Sequence, residues 1–226
     1  MDDLKETGRL EAFSDGVFAV AITLLILNIQ PPPLSTPKSL EDGPLLEFLR
    51  KQWPMLLAFV TSFATVGIIW INHHRLFNHI KRTDNTLLVL NLLLLLVIVF
   101  IPFPTALLAQ QYAAHPDQHI AAVIYSGTNV ILAVCFNLLW RYASYRNRLL
   151  GKDADTRAVM AISQQYLFGP LLYLIAFGLA WINVLASIAL NLLLALFFAL
   201  PGRKPRSLSD VPSPFDDRGI TNNEEQ

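Results

Sequence analysis

Long apolar stretches joined by short polar or proline-rich segments set the pattern of this chain. A bilayer core about 30 Å thick needs about 20 mostly apolar residues at 1.5 Å per residue. Six stretches approach or meet that length, at roughly 12–29, 53–72, 86–108, 120–141, 163–181 and 183–200. The last two are nearly continuous, with Trp181-Ile182-Asn183 as the polar interruption. Their combined length is about twice one span, so a tight turn between two helices is expected. The pattern predicts an all-α polytopic membrane protein with six transmembrane helices in one domain, residues 1–200. Between the first two spans, Pro31-Pro32-Pro33, Pro37 and Gly43-Pro44 cannot continue a helix. That segment reads as an outer loop with one short helix near Leu45–Leu49. Residues 201–226, rich in Pro, Ser and charge, read as a disordered cytoplasmic tail.

Basic residues give the orientation, because cytoplasmic loops near helix ends carry the excess of Lys and Arg. With six spans and the N-terminus inside, the outer segments hold Lys38, Arg50 and Lys51, and the other fourteen of the seventeen basic residues lie on the cytoplasmic side. The same split favours an even number of spans and places both termini in the cytoplasm. Trp53, Trp70, Trp140 and Trp181 fall near predicted span ends, where interfacial tryptophans belong.

Composition agrees. The chain is 54% hydrophobic and 15% charged, against roughly 45–50% and about 25% in soluble domains. Seventeen basic and seventeen acidic residues cancel, so the basic footprint that phosphate backbones require is missing and no nucleic-acid partner is expected. The N-terminus lacks the basic start and small-residue cleavage site of a signal peptide, so the first apolar run reads as a retained helix. Cys135, the single cysteine, cannot form an intrachain disulfide and reads as a small core residue.

One ionisable residue sits where lipid makes it costly. Asp15, beside Ser14, falls at the cytoplasmic edge of the first span, and a charge at mid-membrane costs about 2.5–3.5 kcal/mol, less near the interface. It needs a partner inside the bundle. At 100° per residue, Arg9, Phe13, Gly16, Val20, Leu24 and Leu27 fall within about 40° of Val20, with Thr23 about 60° to one side. Ser14 and Asp15 lie about 120–140° away. If the Val20 stripe faces a channel, Asp15 must face neighbouring helices.

The segment Arg9-Leu10-Glu11-Ala12-Phe13-Ser14-Asp15 has the pattern R-x-x-x-F-S-D. With Gly16 to Leu25 it resembles the first helix of bacterial relatives of the lysosomal potassium channel, transmembrane protein 175. Trp70-x-x-His73-His74, Asn91 and Pro102-Phe103-Pro104-Thr105 extend the resemblance over most of the first 110 residues. The last three spans fit in number and hydropathy. The resemblance implies a potassium-permeable cation channel built as a homotetramer, with four first helices around a central pore. It also implies a hydrophobic constriction at Val20 and further pore-lining positions at Thr23, Leu24 and Leu27. Many relatives carry Ile or Leu at the constriction, so Val20 is smaller. Such a ring gates by dewetting and discriminates through the cost of shedding hydration. Arg9, Phe13, Ser14 and Asp15 would belong to a family motif tied to the second and third spans, with Trp70, His73, His74 and Asn91 as candidate partners.

The competing signals are weaker. Thr65-Val66-Gly67 resembles part of a potassium filter, but Ile68-Ile69 follow within an apolar run, so its carbonyls are spent inside a helix. His74 and His79 are five apart, off the i, i+4 spacing of a helical zinc site, and no metal or other cofactor is expected. Asn91, Asn137 and Asn191 read as amides bridging helices, and Pro102 and Pro104 as a kink or early helix end. No span carries the row of arginines of a voltage sensor. No convergent set of catalytic groups suggests an enzyme. The alternative function is a proton-coupled secondary transporter using Asp15, although one six-helix unit with an acid near its edge lacks the paired repeats and midplane site of that class.

Overall fold

The computed structural model describes residues 6–29, 52–114, 118–151 and 155–199. Seven α-helices occur among them: α1 (Gly8–Leu24), α2 (Trp53–His79), α3 (Asn85–Phe100), α4 (Pro102–Ala114), α5 (Gln118–Ser144), α6 (Thr156–Ala180) and α7 (Val184–Ala199). Helices α3 and α4 are two halves of one broken span, so the seven form six membrane-crossing elements. The predicted outer loop, its short helix and the predicted tail lie outside the described residues, apart from Gln52 at the end of the loop.

The second, fourth and fifth spans extend beyond their apolar limits, α2 running on to His79, α5 to Ser144 and α6 starting at Thr156. Hydropathy marks the lipid-bathed part of a helix, whereas the backbone hydrogen-bond ladder continues through polar residues at the interface. The third span breaks at Ile101. Pro102 has no N–H to offer the carbonyl of Ile98, which instead accepts from Ile101 N at 3.2 Å, and α4 starts with Pro102 at its first position. Thr105 holds the break, donating from Oγ1 to the Ile101 carbonyl at 2.9 Å and accepting from Ser62 of α2 at 3.0 Å.

Proline has a second consequence in α6, where Pro170 lies inside the helix and leaves the Tyr166 carbonyl without its usual donor. Asn137 of α5 supplies one, its Nδ2 lying 2.8 Å from that oxygen. In lipid no water can do this, so the amide and the proline form a complementary pair across two helices. A similar repair ends α7, where Arg75 of α2 donates to the Ala199 carbonyl at 2.8 Å. Positive charge there also complements the negative end of the helix dipole.

At the Asn85 end of α3 the carboxylate of Asp84 is buried and holds three donors. It caps the helix by accepting from Leu87 N at 2.9 Å, and accepts from Tyr142 at 2.7 Å and Arg148 at 2.8 Å. The neighbouring loops pair through Ile80 and Leu150, with Lys81 N 2.9 Å from the Leu149 carbonyl. Asp84→Asn keeps a good capping oxygen but puts an amide N–H2 where Oδ2 accepted from Tyr142 and Arg148, so the charge and the Tyr142 acceptor are both lost, at an expected cost of about 1–2 kcal/mol. Asp84→Ala removes the cap and orphans the Tyr142 hydroxyl, costing about 2–3 kcal/mol. Melting curves of the two purified variants, read side by side, check this order.

One of the four tryptophans departs from the interfacial expectation. Trp53, Trp70 and Trp181 are exposed, Trp70 with its indole N–H bonded to α1, but Trp140 is fully buried with its indole N–H 2.9 Å from Ser163. A terminal position along a helix does not decide which way the side chain faces. For Trp140 a hydroxyl on the neighbouring helix satisfies the N–H and permits burial.

Candidate functional site: the first helix and its three-helix anchor

Helix α1 packs mainly against α2 and α3, and the turn that follows it packs against α2 and α4. Its inward face is small or fully covered: Ser14, Phe18, Ala21 and Leu25 are buried. Its opposite face is bare in the single chain, with Phe13 and Val20 each 55% and Leu27 69% exposed, and with Gly16, Thr23 and Leu24 also exposed. The Val20 stripe grouped by helical periodicity is therefore the uncovered one. A groove of about 470 Å³ runs beside it, bounded by Phe13, Gly16, Val20 and Val99 of α3.

Leu25–Asn28 tighten into a 3₁₀ turn. At about 120° per residue instead of 100°, this swings Leu27 closer to the line of Leu24 than a continued α-helix would. The hydroxyl of Thr23 is occupied as a donor by the carbonyls of Val20 at 2.9 Å and Ala19 at 3.0 Å. Its lone pairs still face outward from the helix.

Behind the exposed stripe, α1 is tied down by a chain of polar side chains. Asn91 of α3 is fully buried and donates from Nδ2 to Ser14 Oγ at 2.9 Å. Ser14 in turn donates to the Leu10 carbonyl at 2.8 Å. With the amide in that orientation, Asn91 Oδ1 accepts from His73 Nε2 at 2.9 Å, so Nε2 is the protonated ring nitrogen. The His73 ring is held between Phe18, edge-on at 5.3 Å, and Phe77 at 4.5 Å between centroids. Three helices thus meet at one satisfied buried cluster.

Asp15 sits at the rim of this cluster. Its Oδ1 accepts from the Trp70 indole N–H at 2.8 Å, and Trp70 stacks on the exposed His74 ring at 6.0 Å. Of the residues that the sequence singles out, Ser14, Asp15, Trp70, His73, His74 and Asn91 are brought together; Arg9 and Phe13 are exposed and stay outside the knot. Sequence reasoning missed Phe18, whose ring closes over His73, and Asp84, which fixes the start of the helix carrying Asn91. A capping pattern of Asp84 followed by apolar residues three and four on was the available signal for the second.

The family described as endosomal/lysosomal potassium channel TMEM175 matches residues 9–102, the stretch that holds α1 and its anchor. A potassium channel from Chamaesiphon minutus is 49% identical over 195 residues, covering 86% of this chain and 94% of the relative. The chain belongs to the TMEM175 family. A potassium channel from Streptomyces collinus is 40% identical, covering 86% of this chain and 92% of that protein. The crystal structure of a lysosomal potassium-selective channel TMEM175 homologue from Chamaesiphon minutus aligns with a TM-score of 0.75 at 46% identity, covering 87% of this chain and 98% of that one. The family relation therefore extends through α5, α6 and α7, where the sequence offered a match in number and hydropathy alone.

Proposed function

We propose that four copies of this chain form a potassium-permeable channel in the cell membrane, with the four α1 helices around a central pore and both termini in the cytoplasm. The observation that carries the reading is near full-length similarity to a TMEM175-family protein named a potassium channel. The bare Val20 stripe on α1 supports the arrangement, because assembly around an axis would turn it inward. In that position Val20 forms a hydrophobic ring that dewets when narrow and lets hydrated cations through when wide. Such a ring has no ligand oxygen to replace lost water, and potassium holds its water less tightly than sodium does, so selectivity is modest. Thr23, one turn along, offers oxygen lone pairs to the hydrated ion. The Ser14–Asn91–His73 cluster and the Asp15–Trp70 bond set how α1 leans against α2 and α3.

The test is flux into liposomes holding the purified chain, driven by a potassium gradient and compared with sodium and with empty vesicles. Rapid dissipation of the gradient with no coupled ion is expected. Potassium movement that requires counter-movement of protons would instead favour a carrier centred on Asp15.

A further inference from the structure

Away from the α1 stripe, helices α2, α5, α6 and α7 enclose a half-open cavity of about 50 Å³. Asn72 of α2 borders it. This side chain is 7% exposed, and its amide makes no hydrogen bond among the described residues. The adjacent polar groups are Thr65, Asn129, Tyr166 and Tyr173. Asn129 and Thr65 already have partners, Asn129 donating to Asn191 at 3.2 Å and Thr65 to the Thr61 carbonyl at 2.8 Å. An amide carries two donors and an acceptor, and leaving it bare in an apolar setting costs about 1–3 kcal/mol by protein mutational data. The lipid around these helices offers no hydrogen bonds. Partners held in the cavity would supply them.

We propose that this cavity is a built-in site for water, holding about one to three ordered molecules that bridge the Asn72 amide to the hydroxyls across from it. Size decides against larger occupants. The space is several-fold below the roughly 300–1,000 Å³ of drug-sized sites, while about 10–15 Å³ of such volume suffices for one water. Charge decides against a cation, since no carboxylate lines the space. An acyl chain would leave the amide unsatisfied. The walls also resist collapse: Tyr166 and Tyr173 each stack on Phe198, at 6.4 and 6.1 Å with interplanar angles of 13° and 17°. The site is separate from α1, and it hydrates the back of the helix whose other face anchors the pore helix.

Electron cryomicroscopy of the full-length tetramer in a lipid nanodisc, at a resolution that shows ordered water, tests this directly. Density for discrete waters within hydrogen-bond distance of the Asn72 amide is expected. A direct protein bond to Asn72, continuous lipid density in the cavity, or an empty cavity would each overturn the proposal. Asn72→Leu, of the same branching and large enough to fill part of the space, should lose those waters with no fall in melting temperature, because amide and water are removed together. A drop of several degrees would mean that the amide has a protein partner, and the proposal fails. Asn72→Ser, which keeps a polar group and enlarges the space, should retain water; a dry cavity in that variant would also count against it.

Discussion

Replacing Val20 with Ser is expected to raise potassium flux several-fold in reconstituted liposomes and to lower the preference for potassium over sodium. In the proposed tetramer four substitutions would enter one ring, so a small change per subunit would act four times on the same constriction. Each removes a branched apolar side chain and puts a hydroxyl in its place, which favours a wetted pore and lowers the cost of passing a hydrated ion. A tenfold gain in flux corresponds to about 1.4 kcal/mol off the barrier, or a few tenths per subunit. Val20→Leu acts in the opposite direction by narrowing the ring. Ile26→Ser is the control, since Ile26 is 51% exposed but, in the 3₁₀ turn, lies about 80–100° around the helix from Val20. If Val20→Ser and Ile26→Ser leave flux equally unchanged, Val20 is exposed to lipid or to a neighbouring subunit and does not form the constriction.

That control matters because exposure alone does not mark a pore. Every helix of this chain that faces lipid shows large apolar side chains, Leu96 at 67% and Leu185 at 62% among them. What distinguishes α1 is the contrast between its two faces, which periodicity could show but could not assign. The sequence motif supplied the assignment as an expectation. Which face meets water is a property of the assembled protein, and a hydropathy pattern averages over lipid, protein and pore.

Other parts were legible for physical reasons. Twenty apolar residues with a polar break can hardly be anything except a span, so all six were visible, including the turn at Trp181–Asn183. The polar residues within them were visible because lipid makes each one costly. Their partners were a different matter. Asn137 read as a generic bridge, while the structure pairs it with the carbonyl that Pro170 frees thirty-three residues later. Trp140 read as interfacial because its position along the helix was known and its direction was not. Pairings across helices depend on rotation and register, and these follow from packing that no single-span pattern encodes.

The strongest test of the anchor is Asn91→Leu, which lowers the stability of the assembled protein by about 2–4 kcal/mol. Interhelical hydrogen bonds in membrane proteins average about 0.6 kcal/mol and reach about 1.7; this substitution removes two, to Ser14 and from His73. Ser14 keeps its bond to the Leu10 carbonyl, but the His73 N–H is left buried without an acceptor, at a further cost of about 1–3 kcal/mol. The orphaned donor makes a second outcome specific to this geometry. His73 lies between Phe18 and Phe77, so Phe at position 73 suits that aromatic setting. The double variant Asn91→Leu with His73→Phe should therefore melt above Asn91→Leu alone, even though it carries one more substitution. Thermal melts of the four proteins in the cycle, followed by the fraction remaining tetrameric on size-exclusion chromatography, read this coupling. Additive losses would show that His73 and Asn91 contribute independently, and the anchor would then be two separate contacts instead of one network.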